Sequence, residues 1–446
     1  MHPAAKPPAL IPTATRSLPL AVAAKGARIF DESGRDYIDA SSGPLAVSLG
    51  HGHPKVLAAL GRQFEAVDYV HRTQFRNQAA EQLADLVTDR LGGGLDHVLF
   101  VGSGSEANEV AMKAAHMYWA ALGQPDKHRF ASSSVSYHGN TAGALGASGQ
   151  PRYAAAYRPL VQPGERITAP QVYRLPVPAG STAEAVCIAR LRDDFARLDA
   201  RRTAAVLLEG VGGSGSGVLV PPPGYLEELR RLCDASDILW ICDEVMSGFG
   251  RTGAWFAFQH ANAVPDIVTF AKGAGGGAVP LGGAALSGRV WEQISRVHPA
   301  MPAGHTFTNA PLACAAGVAT IEVLEEERVL PRVTERGGWL GERLRALQDD
   351  FPFVGDVRGV GYMWGLEFVA DPTGAPPDPG LNVSAKAVAA AADSGLIVYP
   401  ARCCIDGTRG DAFIVAPPLT ATDEELAELL TRLRATLVSL RALFPS

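Results

Sequence analysis

The sequence predicts an α/β fold built on a largely parallel sheet, and three observations carry that prediction. Short apolar runs at 204–208, 238–242 and 267–271 have the composition of buried strands. Each stops at a polar residue: Glu209, Asp243 and Lys272 respectively. Between the first two runs, residues 224–235 read as a helix behind the prolines at 221–223, so 204–243 is a strand–helix–strand unit whose strands run parallel.

Taken in order, the chain opens with a proline-rich, aperiodic stretch over residues 1–16, expected to be an irregular arm. Alternation from 27 to 39 around Glu32-Ser33-Gly34-Arg35 predicts a hairpin. His51-Gly52-His53 is the one close histidine pair, without acidic or cysteine company; it reads as a turn ahead of a helix started by Pro54, not as a metal site. That helix runs to about residue 67 with Val56, Leu57, Leu60 and Phe64 at helical spacing, and another spans about 77–91.

A strand at 98–101 passes through Gly102-Ser103-Gly104-Ser105 into a helix with Ala107, Val110, Ala111, Ala114, Ala115 and Tyr118 on one side. Ser103 and Glu106 have capping-box spacing. A strand near 130–135 leads into Tyr137-His138-Gly139, a further strand is expected at 282–287, and a long helix at about 311–327. From 354 onward strands and helices alternate: two glycine-broken strands over 357–369, a helix at 383–394, strands at 396–399 and 412–415, and a terminal helix at 422–440. The expected division is 1–65 as an arm and part of a small domain, 66–325 as a large domain, and 326–446 as the C-terminal small domain.

Composition narrows the function. At 446 residues, 47% apolar and 19% charged with a net charge of −6, the chain can bury a large core and carries no basic excess for nucleic acid or an anionic membrane. The early apolar run at 18–24 is interrupted by Pro19 and too short for a signal or spanning segment, so a cytoplasmic protein is expected. The six cysteines show no Cys-x-x-Cys spacing, and most read as buried small apolar residues.

Ligands bind outside the carboxyl ends of parallel strands, where this chain would present one amine and two carboxylates. A lysine there can form a Schiff base, and an aspartate can hold a pyridinium nitrogen; together they suit pyridoxal phosphate. The Gly/Ser loop at the helix start after residue 101 adds an anion site of exposed N–H groups. A dinucleotide fold uses a similar loop, but no acidic residue ends a strand about 20 residues later, as that rival needs. No glycine loop continues into Gly-Lys-Ser/Thr, which disfavours a P-loop nucleotidase.

These residues resemble those of the class III aminotransferases. The likeness rests on 102–108, Tyr137-His138-Gly139, Asp243-Glu244-Val245, Lys272-Gly273, Gly304-His305-Thr306-Phe307, Arg358-Gly359-Val360-Gly361 and the closing segment 410–419, in that order. Through residues 243–253 the chain is similar in particular to the ω-amino acid:pyruvate branch. The resemblance implies a fold type I architecture: a large domain with a mostly parallel sheet of the seven-stranded type, plus a smaller α/β domain from both chain ends. It implies that Lys272 bonds the pyridoxal phosphate aldehyde and shuttles a proton, and that Asp243 pairs with the pyridine nitrogen. Gly104 and Ser105 would hold the phosphate, Tyr137 and Val245 would flank the ring, and His138 and Glu209 would complete the cofactor's surroundings.

Thr306 would serve the phosphate of the neighbouring subunit in a homodimer. Arg409, on a glycine-flanked loop, would swing in to bind a substrate carboxylate unless it pairs with Asp406 or Asp411; Arg402 is a second candidate. The implied reaction moves an amino group from an amine or amino acid to a keto acid. Racemases, decarboxylases, aminomutases and phospho-lyases of the same family share the cofactor site, and a catalytically silent binding protein is disfavoured by the intact Lys272 and Asp243. The chain departs from the family pattern at Gly210, where proline is common, at Asn309-Ala310, and in the glycine-rich loop 212–217.

Overall fold

The computed structural model describes residues 10–11 and 18–444, so most of the expected N-terminal arm lies outside the described residues. Seven strands form the large sheet, in the order His97–Val101, Gly282–Leu286, Ile267–Phe270, Leu239–Asp243, Thr203–Glu209, Arg129–Ser133, Glu165–Ile167. The last five run parallel to one another. Gly282–Leu286 is inserted antiparallel between His97–Val101 and Ile267–Phe270.

The uninterrupted apolar runs are explained by burial on both faces. Val206, Leu208, Trp240 and Val268 pack on one side with Tyr225 and Leu229. Leu207, Ile241 and Ile267 pack on the other against Val110, Ala111 and Ala114 of the helix Gly104–Ala121. That helix approaches closely where its buried stripe is alanine, at Ala107, Ala111, Ala114 and Ala115. The in-register pairs Glu209↔Asp243 and Asp243↔Thr269 bring the polar strand ends to one rim.

Two four-stranded sheets lie outside this one. Val354–Val360, Met363–Phe368, Asp411–Val415 and Tyr399–Arg402 form an antiparallel sheet. Ala21–Lys25, Arg28–Asp31 and Asp36–Asp39 form a meander to which Leu396–Ile397 adds in parallel, tying the two ends of the chain together. Ile38 and Ala40 accordingly share a core with Leu340, Phe413 and Leu433.

Several expected elements differ from those observed. The strand expected at 396–399 is two short strands in different sheets, Leu396–Ile397 and Tyr399–Arg402. The strand expected at 130–135 ends at Ser133. Ser103 caps its helix by accepting the Glu106 N–H, but the Glu106 carboxylate accepts from Gly102 N–H, not Ser103, so the reciprocal box does not close. Helices Ala183–Arg197 and Val329–Asp350, strand Glu165–Ile167 and strand Ala21–Lys25 have no counterpart in the sequence reading. Among the described residues no helix is long and apolar enough to cross a membrane.

Candidate active site

The rim formed by the strand ends opens into a cavity of about 180 Å³. Gly104, Ser105, Tyr137, His138, Glu209, Asp243, Val245 and Lys272, all expected from the sequence, line it together with Gly139, Val211 and Met246. Asp243 closes its strand and is 4% exposed. Its carboxylate accepts three hydrogen bonds: from Asn108 Nδ2 at 2.8 Å, from His138 Nδ1 at 2.8 Å and from Val245 N–H at 3.0 Å. An ionised carboxylate only accepts, so His138 carries its proton on Nδ1. Three donors on one carboxylate satisfy its oxygens and offset the cost of burying it.

Lys272 follows its strand by two residues and adopts a left-handed backbone, φ 49°. It is enclosed by protein, reached only partly by solvent, and lines the cavity. Burial pulls its ammonium down to about 8, while the Asp243 and Glu209 carboxylates pull the other way. Glu209, opposite Asp243, is pushed up to about 7, first by burial and then by Asp243, with His138 and the Gly213 N–H opposing. The Gly213 N–H donates to Glu209 Oε1 at 2.9 Å.

At the other end of the cavity the helix Gly104–Ala121 begins. Ser103 Oγ takes the Glu106 N–H and Ser103 O the Ala107 N–H, which leaves the Gly104 and Ser105 N–H groups for an anion. A side chain at Gly104 would meet Val245 Cγ1 at 2.8 Å, so only glycine lets Val245 close over that end. Ser105 Oγ accepts the Asn140 N–H at 3.0 Å and holds the loop that carries Tyr137 and His138.

These groups fit the expected pyridoxal phosphate: an amine drawn toward neutrality, a fixed carboxylate, an anion cradle and two flanking apolar groups. Asn108 was missed. It bridges Thr269, whose hydroxyl donates to Asn108 Oδ1 at 2.7 Å, and Asp243. Its signal was present: a polar amide on the same stripe as Ala111 and Ala115, on the buried face of the helix.

Three expected residues lie elsewhere. Thr306 sits on the loop before the helix Pro311–Glu326, and its carbonyl accepts from the Tyr69 hydroxyl at 3.0 Å. Arg409 does not line the cavity; its Nε and Nη2 both bond Asp406 Oδ2 at 2.8 Å. Arg402 ends the strand Tyr399–Arg402, and its carbonyl accepts from Gln150 Nε2 at 3.1 Å.

The aminotransferase class-III family profile matches residues 12–437. The uncharacterized aminotransferase YodT of Bacillus subtilis (strain 168) is 35% identical over 421 residues, 94% of this chain and 95% of that protein. A thermostable (S)-enantioselective omega-transaminase from Thermomicrobium roseum has a TM-score of 0.89 at 32% identity, covering 97% of this chain and 96% of that one. An amine transaminase from an uncultivated Pseudomonas species, solved with pyridoxal phosphate bound, has a TM-score of 0.87 at 30% identity, covering 97% and 98%. The family match over nearly the whole length, on a structure that gathers the lysine, the aspartate and the anion cradle, gives one conclusion: the chain belongs to the class III aminotransferases, pyridoxal phosphate enzymes of fold type I.

Proposed function

We propose that this enzyme moves an amino group from an amine or ω-amino acid to a keto acid such as pyruvate, in two half-reactions sharing one site. The observation that carries the reading is the enclosed Lys272 amine, drawn down to about 8, across from a carboxylate fixed by three donors. Pyridoxal phosphate, when bound, supplies an electron sink for charge developing at the substrate carbon. Lys272 Nζ would take a proton from that carbon and deliver it to the carbon that was the cofactor's aldehyde, the relocation amino transfer needs, which an amine titrating near 8 can do at ordinary pH. Asp243 is the carboxylate that would pair with the ring nitrogen, and His138 and Asn108 hold it in orientation. Gly104 and Ser105 would hold the phosphate, Tyr137 and Val245 would flank the ring, and Glu209 would orient the cofactor's surroundings.

The amine and omega-transaminase neighbours support the choice of donor class. The same reading makes the protein a cytoplasmic homodimer, with Thr306 serving the phosphate site of the second copy. It divides the chain into 1–65, 66–325 and 326–446, the first and last parts joined through the pairing of Asp36–Asp39 with Leu396–Ile397. Arg409, released from Asp406, or Arg402 would receive the carboxylate next to the reacting carbon.

The test is spectroscopic. Protein loaded with pyridoxal phosphate should lose its long-wavelength absorbance on adding an amine donor alone and recover it on adding pyruvate. Loss without recovery, for pyruvate and every other keto acid offered, would exclude amino transfer.

A further inference from the structure

Beyond the cavity wall, a half-buried guanidinium stands behind the tyrosine that lines the site, with a second tyrosine between them. Tyr137 and Tyr153 have ring centroids 4.8 Å apart. Arg152 lies over the Tyr153 ring at 4.4 Å. Its orientation is fixed from two sides: Nε donates to Gln150 Oε1 at 2.8 Å and Nη2 donates to the Tyr153 hydroxyl at 2.6 Å. Gln150, 1% exposed, is itself held, because its Nε2 donates to the carbonyls of Gly215, Arg402 and Cys403. A buried amide with three carbonyl partners is a rigid support.

Two of the five guanidinium N–H groups are thus used, and the Nη1–Nη2 edge keeps three for a ligand. Among the described residues no carboxylate pairs with Arg152, whereas Arg409 is already committed to Asp406. A preorganised guanidinium edge recognises a carboxylate bidentately. Its distance matters too. Tyr137 lines the cavity, and Arg152 stands one ring beyond it, outside the lining, where the far end of an extended substrate would reach.

We propose that Arg152 receives the distal carboxylate of an ω-amino acid, a donor whose carboxylate lies several carbons from the reacting amine. The proposal rests on the amino-transfer reading above. It makes Arg152 a specificity-determining residue, with Gln150 its positioning residue.

The experiment compares ω-amino acids of increasing chain length with alkylamines of the same length lacking the carboxylate, pyruvate being the acceptor. The parent should favour the acid by roughly tenfold or more in kcat/KM at some chain length, the size of one charged hydrogen-bonding partner. Arg152→Gln, which can keep the contact to Gln150, should erase that preference through KM, with alkylamine turnover falling far less; Arg152→Lys should retain part of it. Calorimetric titration with pentanoate, an unreactive carboxylate, should show binding weakened about tenfold in Arg152→Gln. If alkylamines react but the acid preference is absent in the parent, or survives in Arg152→Gln, or pentanoate binds both proteins alike, the assignment falls alone. If no donor of either class reacts, the amino-transfer reading falls and takes the assignment with it.

Discussion

Lys272 and Asp243, an amine and a carboxylate of one cavity, are treated in opposite ways. Asp243 accepts hydrogen bonds from a helix, a loop and the residue just past its own strand end, which hold it in place. Lys272 has the burial without comparable hydrogen bonding, so its charged form is disfavoured and its pKa falls to about 8. Since the folded value lies below that of a free lysine, the unfolded chain binds more protons above pH 8; burial therefore costs stability below pH 8 and the cost fades as the pH rises from there. The same shift governs cofactor capture, because only the neutral amine attacks an aldehyde. The rate of pyridoxal phosphate uptake by cofactor-free protein should climb with pH and level off above about pH 8, followed by absorbance. A rate still climbing steeply at pH 9.5 would mean that Lys272 titrates as an ordinary lysine and that the cavity does not tune it.

At the scale of elements, a strand of the second sheet holds the loop behind Glu209. Arg358, on Val354–Val360, bonds Asp356 Oδ2 and Glu367 Oε2 at 2.6 Å and donates from Nε to Val218 O at 2.7 Å and from Nη2 to Ser216 O at 3.0 Å. Glu367 is fully buried and also pairs with Arg174. The loop so pinned carries Gly213, whose N–H holds Glu209. Arg358→Met should cost about 3 kcal/mol or more in urea unfolding, since it strips a buried carboxylate of one partner and two carbonyls of their donor. A loss below about 1 kcal/mol would show that Arg174 alone satisfies Glu367. The departure at Gly210 has a local reason in the same region: a Cβ there would meet Glu244 Oε1 at 2.5 Å, and its N–H donates to Asp243 O.

None of these contacts could be read from the sequence, because partners such as Arg358 and Val218 are brought together only by tertiary packing. What was legible were elements whose local pattern and buried environment agree. The strands leading to Glu209, Asp243 and Lys272 are buried on both faces, and the glycine loop precedes a helix whose buried stripe is rich in alanine. Val329–Asp350 went unread because Gly337, Gly338 and Gly341 interrupt its pattern, yet Gly337 and Gly341 are there to let Gly361 and Trp364 come close. Ala21–Lys25 is exposed on all five residues and has no alternation to detect.

For the whole molecule, the surface around Thr306 is the informative one. Phe307 is 65% exposed, and its ring meets that of Tyr69 edge-on at 5.7 Å. Phe75, Phe64 and Leu57, on and just after the helix Pro54–Ala66, are also exposed. Large apolar side chains of this number on a helix and the loops beside it are what a monomer avoids and a subunit interface uses. Thr306 is next to Phe307, so covering Phe307 with a second copy would bring Thr306 to that copy's surface, as a shared phosphate site would require. Phe307→Asp should then give a monomer in sedimentation, because a charge buried in an apolar interface is not tolerated. The monomer should bind pyridoxal phosphate on the order of tenfold more weakly, the worth of a lost charged hydrogen bond. Lys272 and Asp243 lie within one chain, so the monomer should still bond the cofactor, and the loss should appear as faster release. A monomer that keeps pyridoxal phosphate as tightly as the parent would leave Thr306 without a part in the site; a variant that stays dimeric would place the interface elsewhere.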